Sequence, residues 1–302
     1  MTVPLINFTL IKAISLLPKW FAKPFAKPYV AGETIREAID KIKILNEKGY
    51  LVTVDILGEH TKSKKEANRI TEQYCLLYDQ ILEENLECSI SVKPTHVGLD
   101  ISSIEVMNNI GKILKKAEET GNFLRIDMES SSVTDKTIQI YEHFKKNSTN
   151  IGTVLQAYLL RTQTDLDKLS SSDINIRICK GIYDEPQKIS FKDKNEINKN
   201  YILFAKKMAR NNHFCAYATH DQILIDELVS WIENENISKE LFEFQCLFGV
   251  PMEGRLEKLM EDGFKVRIYV PFGPDWYDYS MRRLNENPKI INYVLGNLFK
   301  ND

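Results

Sequence analysis

The chain has 302 residues, 43% of them hydrophobic and 27% charged, and a net charge of −2. That is the composition of a globular protein with a large core, and the near-neutral balance excludes a general nucleic-acid binder, which needs a basic surface. The cysteines at 75, 88, 179, 215 and 246 are scattered and form no CxxC pair, which argues for a reducing compartment; the histidines form no ligand grouping, so no metal is expected.

The opening stretch, residues 1–30, is mildly apolar but interrupted by Lys12, Pro18 and Lys19. It is too broken to span a bilayer and lacks a small-residue cleavage site. It reads as a short N-terminal helical extension followed by an irregular connector, although Trp20, Phe21, Phe25 and the nearby lysines would also suit a membrane interface.

From residue 33 the chain alternates helix-period and strand-like segments. Strands are expected at 50–59, 87–95, 122–130, 152–159, 174–183, 214–221, 242–250 and 265–273, each short, rich in β-branched or aromatic residues, and ending in a polar or glycine-containing tail. Between them lie amphipathic stretches with helix signals: capping-box spacing at Ser63–Glu66 and Ser102–Glu105, C-terminal glycines at Gly121 and Gly263, and Pro251 suited to a first helical turn. Eight strand–helix units are the count of a (β/α)8 barrel of the TIM type. The first strand ends in "DILGEH" rather than GxGxxG, which argues against a doubly wound sheet. The expected organisation is an extension over 1–30, a barrel over 31–302, and a final helix over the barrel mouth.

In such barrels the site forms at the C-terminal strand ends. Those ends supply Asp55 and Glu59, Lys93, Asp127 and Glu129, Gln156, Arg177 and Lys180, Thr219 and His220, Gln245, and Tyr269. Lys93 and Asp127 end neighbouring strands and are expected to pair. Gly181 leaves backbone amides open to a phosphate. A cavity with several cations and few free anions calls for an anionic ligand. "DWYDYSMRRLNENP" (275–288) then places Arg282 and Arg283 on a helix leaving the mouth, where guanidinium forks suit a carboxylate.

Taken together, "SVKPT", "RIDME", "LQAYL", "RICKGIY", "ATHD", "FEFQCLFGV", "VRIYVPFG" and "WYDYSMRRLNEN" resemble, in order and spacing, the proline dehydrogenase (proline oxidase) family of the monofunctional bacterial type, over roughly residues 30–300. The resemblance implies a distorted (β/α)8 barrel that binds FAD noncovalently and oxidises L-proline to Δ1-pyrroline-5-carboxylate by hydride transfer from C5, the first step of proline catabolism. It also implies a quinone as next electron acceptor, a cytoplasmic protein, and peripheral contact with the inner face of the membrane. By the same resemblance Asp127 and Arg177 are catalytic. Lys93, Leu247, Tyr269, Tyr279, Arg282 and Arg283 bind substrate. Met128, Gln156, Arg177, Cys179, Lys180, Gly181, Thr219, His220 and Glu286 fall on cofactor positions. Members often carry other residues where Cys179, Ile182, Asp184 and Phe248 stand, which bears on adenine stacking. Two other readings are a Schiff-base lyase using Lys93 as nucleophile and a non-catalytic barrel that binds a carboxylate or flavin.

Overall fold

The computed structural model describes residues 28–169 and 173–286, with side chains described to residue 283. Eight parallel strands close on themselves in chain order, each next to its sequence neighbour, with the last paired to the first. They are β1 (Leu51–Ile56), β2 (Cys88–Val92), β3 (Leu124–Ile126), β4 (Ile151–Gln156), β5 (Asn175–Cys179), β6 (Phe214–Ala218), β7 (Phe242–Leu247) and β8 (Val266–Phe272). The helices are α1 (Ile35–Glu47), α2 (Lys64–Glu83), α3 (Ser103–Glu119), α4 (Thr134–Lys145), α5 (Thr162–Leu169), α6 (Lys194–Arg210), α7 (Gln222–Asn234), α8 (Arg255–Glu261) and α9 (Trp276–Glu286). The fold is the expected (β/α)8 barrel. The helical extension expected over 1–30 falls, except for its last three residues, outside the described residues.

Helix starts follow their local chemistry. Thr34 forms a full capping box at α1: its hydroxyl accepts from Glu37 N at 3.3 Å, and Glu37 Oε2 accepts from Thr34 N at 2.9 Å. The buried face of α1, Ala38, Ile39, Ile42 and Leu45, has helical spacing and packs on the barrel wall. Each larger side chain so buried contributes ~1.5–3 kcal/mol, and losing the Thr34 cap costs ~1 kcal/mol. Ser63 and Ser102 cap α2 and α3 through Glu66 N and Glu105 N. The reciprocal arm of the expected boxes is absent there: Glu66 turns back to Lys62 N and Glu105 pairs with Lys64. Gly121 and Gly263 follow their helices with positive φ, as expected. Pro251 lies in the loop after β7 instead of a first helical turn. Left-handed backbone at Gly249, Glu253 and Gly254 holds that loop open and delays α8 until Arg255.

Apolar residues fill the layer between barrel and helices, with Val52, Val54, Ile90, Ile126, Ile176, Ile178 and Val270 on the strands. The interior of the barrel is polar, in contrast to the branched apolar layers usual in this architecture. Hydrogen bonds there join strands that are not neighbours. Arg177 on β5 reaches Ser91 on β2, Asp127 on β3 and Gln245 on β7. Such an interior is stable only if its charges are paired and its remaining polar atoms bonded.

Candidate active site

Arg177 occupies the centre of the mouth. Its Nε donates to Gln245 Oε1 at 2.5 Å, one terminal nitrogen to Asp127 Oδ1 at 2.7 Å, and the other to Ser91 Oγ at 3.2 Å. Tyr269 Oη takes the second Asp127 oxygen at 2.7 Å, and the Tyr269 ring lies 5.1 Å from the guanidinium carbon. Register explains why these groups meet: Arg177 stands beside Ala216, which stands beside Glu243, so small β6 side chains leave the guanidinium room to cross.

Lys93 pairs with Asp55 at 2.6 Å, not with Asp127 as expected. Both oxygens of Asp127 are engaged by Arg177 and Tyr269, whereas Asp55, at the end of the strand on the other side of β2, offers a buried carboxylate. Tyr74 of α2 donates to the other Asp55 oxygen at 3.2 Å. Adjacency in sequence order cannot separate the two partners, since β1 and β3 flank β2 equally. Burial alone would lower the Lys93 ammonium, but the Asp55 charge more than reverses that and holds it above the usual lysine range. A lysine so held is a cation rather than an amine nucleophile, which counts against the Schiff-base reading.

The expected cofactor positions line the other side of the mouth. Gln156 donates to the Met128 and Glu129 carbonyls at 3.5 and 3.4 Å, while its Oε1 is a buried acceptor with no hydrogen-bond donor among the described residues. Lys180 pairs with Asp221 at 2.6 Å, and Thr219 Oγ1 accepts from Asp221 N. His220 Nε2 accepts from Leu247 N at 2.9 Å, so the ring carries its proton on Nδ1. Burial, then the charges of Arg283 and Lys180, push the His220 pKa down to about 4, so the ring is neutral. Cys179 is a half-buried thiol pushed up to about 12 by burial, a packing group rather than a nucleophile. Gly181 has φ +110°, and a Cβ there would fall 2.1 Å from the Tyr158 ring. Its lack of a side chain therefore lets that ring close under the loop after β5.

On α9, Trp276, Ser280 and Arg283 are buried, while Arg282 is exposed. Adjacent helical residues diverge by about 100°. The Arg283 guanidinium lies 5.4 Å from the Tyr279 ring, and its charge is felt at His220. The structure thus brings Arg283 and Tyr279 to the mouth and leaves Arg282 on the outer face. The Glu286 side chain lies outside the described residues.

Three contributors are given no role in the motif reading. Asp55 stood among the strand ends, but nothing there assigned it to Lys93. Tyr183 sits over the mouth, its phenol pushed above the usual range by burial and then by Glu129. Glu185 accepts from Ser131 N at 2.6 Å and from Ser131 Oγ at 2.5 Å, tying the loop after β5 to the loop after β3. A buried acid between an aspartate and a proline was its one available signal. Glu129, without a cation, accepts from the Thr95 backbone and hydroxyl.

A closed parallel barrel with a buried arginine–carboxylate–tyrosine cluster at its C-terminal mouth, and further cations on the next helix, defines a (β/α)8-barrel enzyme built for a small anionic ligand. The family model described as proline dehydrogenase matches residues 38–294. Proline dehydrogenase 2 of Bacillus subtilis (strain 168) is 37% identical over 281 residues, covering 93% of this chain and 92% of that protein. Proline dehydrogenase of Deinococcus radiodurans is 31% identical over 280 residues, covering 91% and 90%. Among solved structures, proline utilization A from Bdellovibrio bacteriovorus, inactivated by N-propargylglycine, superposes with a TM-score of 0.82 at 27% identity; the match covers 89% of this chain and 33% of that one. The chain belongs to the proline dehydrogenase family and is an oxidoreductase acting on proline.

Proposed function

We propose that this chain oxidises L-proline to Δ1-pyrroline-5-carboxylate with a noncovalently bound FAD as first electron acceptor and a quinone as the next. The family is generally FAD-dependent. The residues here fit such a group: Gln156 Oε1 is a buried acceptor with no donor among the described residues, and His220 Nδ1–H is a neutral donor. A flavin ring presents both complementary kinds of group. When bound, FAD supplies the acceptor for the hydride leaving proline C5.

The observation that carries the reading is the fixed Arg177 cluster at the mouth of a barrel with this family's sequence. Arg177 would stabilise negative charge on the reduced cofactor, and Asp127 would keep its guanidinium in place. Met128, Gln156, Cys179, Lys180, Gly181, Thr219 and His220 would line the cofactor, with Glu286 added from the last helix. Arg282 and Arg283 would take the proline carboxylate, Arg283 from its buried position and Arg282 by folding inward from the exposed face. Lys93, held by Asp55, would order the substrate end, and Leu247, Tyr269 and Tyr279 would wall the ring. No general base is assigned, because proline bound as the free amine needs none.

Among the described residues no helix is long and apolar enough to cross a membrane. We place the protein in the cytoplasm, as one barrel domain over 31–302 with an extension at 1–30, reaching membrane quinone by peripheral contact. Steady-state assay with L-proline and a soluble quinone analogue, trapping the cyclic imine with o-aminobenzaldehyde, tests the reaction. Trapped product in proportion to acceptor reduced supports it, and acceptor reduction without the imine, or none, refutes it.

A further inference from the structure

Below the mouth lies a second polar layer that the proposed reaction does not touch. Glu243 and Gln245 sit two apart on β7, and both are buried. Gln245 Nε2 donates to Glu243 Oε1 at 2.5 Å, while Gln245 Oε1 accepts from Arg177 Nε at 2.5 Å. An amide has one end that donates and one that accepts, whereas an ionised carboxylate only accepts. Arg177, which only donates, and Glu243, which only accepts, therefore hold the Gln245 amide from its two ends.

Glu243 is ionised because of what lies on its far side. Arg267 Nε donates to it at 2.7 Å, and another Arg267 nitrogen donates to the Val52 carbonyl at 2.7 Å. Burial pushes the Glu243 carboxyl up, and the Arg267 charge more than offsets this, leaving it below the usual range. The other Arg177 nitrogens are set by Asp127 and Ser91. Its Nε is the position whose acceptor depends on an amide orientation.

We propose that Glu243 is a positioning residue for Arg177, acting through Gln245 to hold the guanidinium at the tilt from which it stabilises the reduced cofactor. This rests on the role given to Arg177 above. Arg267 Nε and Gln245 Nε2 donate to the same oxygen, Glu243 Oε1, so a glutamine at 243 would keep that acceptor while a methionine removes it. Gln245 Nε2 then has no anchor, the amide shifts, and the guanidinium bonded to its oxygen shifts with it.

The test uses the purified flavoprotein and the variants E243M and Q245M, with S89A as control. Ser89 lies in the same layer, bonded to Thr53 and Arg267, and touches neither Glu243 nor Gln245. E243M and Q245M are each expected to lower kcat about tenfold with KM for L-proline unchanged. Each should also shift the flavin midpoint potential negative by about 30 mV, the two-electron equivalent of a tenfold loss. The double variant should add nothing further, and S89A should keep the wild-type potential. A crystal structure of E243M should show Arg177 displaced, with or without flavin. A wild-type potential in folded E243M or Q245M, or an equal shift in S89A, overturns the proposal. Should E243M fail to fold, Q245M, which leaves the Arg267–Glu243 pair intact, decides by the same criteria. A wild-type protein whose flavin proline does not reduce would refute the functional reading instead, while the position of Arg177 in the variant would still judge the relay.

Discussion

Tyr269 on β8 and Asp127 just after β3 bond across the barrel mouth, the phenol donating to Asp127 Oδ2 at 2.7 Å. Burial, then the charge of Asp127, keeps that phenol well above its usual pKa, so it remains a donor at working pH. One side chain thus does two separable things: its ring occupies space in the mouth, and its hydroxyl braces the carboxylate that holds Arg177.

The ring predicts selectivity. A hydroxyl on the pyrrolidine would collide with it or lose water without finding a partner, so L-proline should be preferred to trans-4-hydroxy-L-proline. Tyr269→Ser should narrow that preference, chiefly by loss of proline efficiency. Tyr269→Phe, which keeps the ring and removes the brace, should retain the preference and lower kcat. Kinetics on both substrates in folded, flavin-loaded variants decide it, and an unchanged ratio in Tyr269→Ser would reduce the tyrosine to a packing role.

Arg283→Met should cut kcat/KM strongly and leave flavin bound. Loss of a buried charged hydrogen bond costs about 2–5 kcal/mol, which corresponds to about 30-fold to several thousandfold. Arg282→Met, on the exposed face of α9, should raise KM by a smaller factor. Loss of flavin in either variant would show that these arginines face the cofactor instead.

The Lys93–Asp55 pairing predicts an asymmetry in stability. Asp55→Asn leaves a buried ammonium without its counter-charge and should cost about 3–5 kcal/mol. Adding Lys93→Met should recover part of that loss. Asp127→Asn should show no such rescue by Lys93→Met, because Asp127 is bonded to Arg177. Urea unfolding of the four variants measures this, and rescue in the Asp127 background would restore the pairing expected from strand order.

Two histidines, the buried His96 and the half-buried His220, predict the acid limb of stability. Burial holds His96 down to about 3 and His220 down to about 4, below the ~6.5 of an unfolded histidine. Between pH ~6.5 and those values the unfolded chain binds protons that the native chain does not, so stability is full above the window and falls as pH drops through it. Both together give a slope of about 2.7 kcal/mol per pH unit. Unfolding midpoints from pH 7 to 4 should show this, with about half the slope lost in His220→Asn. A slope unchanged by that substitution would mean His220 is protonated in the native state.

How far the sequence speaks can be read at particular residues. Strand-like runs of β-branched residues and helix-period stretches marked all eight barrel units, because a two-residue period and a 3.6-residue period are local properties. Lys93, Asp127, Arg177 and Tyr269 stood out as polar groups ending apolar strands, and topology alone brings such ends to one mouth. Partner choice was not legible. Asp55 and Asp127 flank Lys93 with equal claim in sequence, and only Arg177 crossing the interior from β5 removes Asp127 from contention. The polar lower layer of Arg125, Glu243 and Arg267 was hidden for the same reason: inward positions on separate strands become a network only when the barrel closes. Pro251 misled because the left-handed residues after it, Glu253 and Gly254, outweigh a local preference for a helix start.

The visible spectrum of the purified protein, recorded anaerobically before and after L-proline, tests the central claim most directly. The account predicts a yellow protein whose flavin band bleaches on addition of L-proline, with the colour leaving the polypeptide on acid precipitation. A flavin band that L-proline leaves unchanged would contradict the proposed substrate and reaction, and colour that stays on the precipitated chain would contradict noncovalent binding.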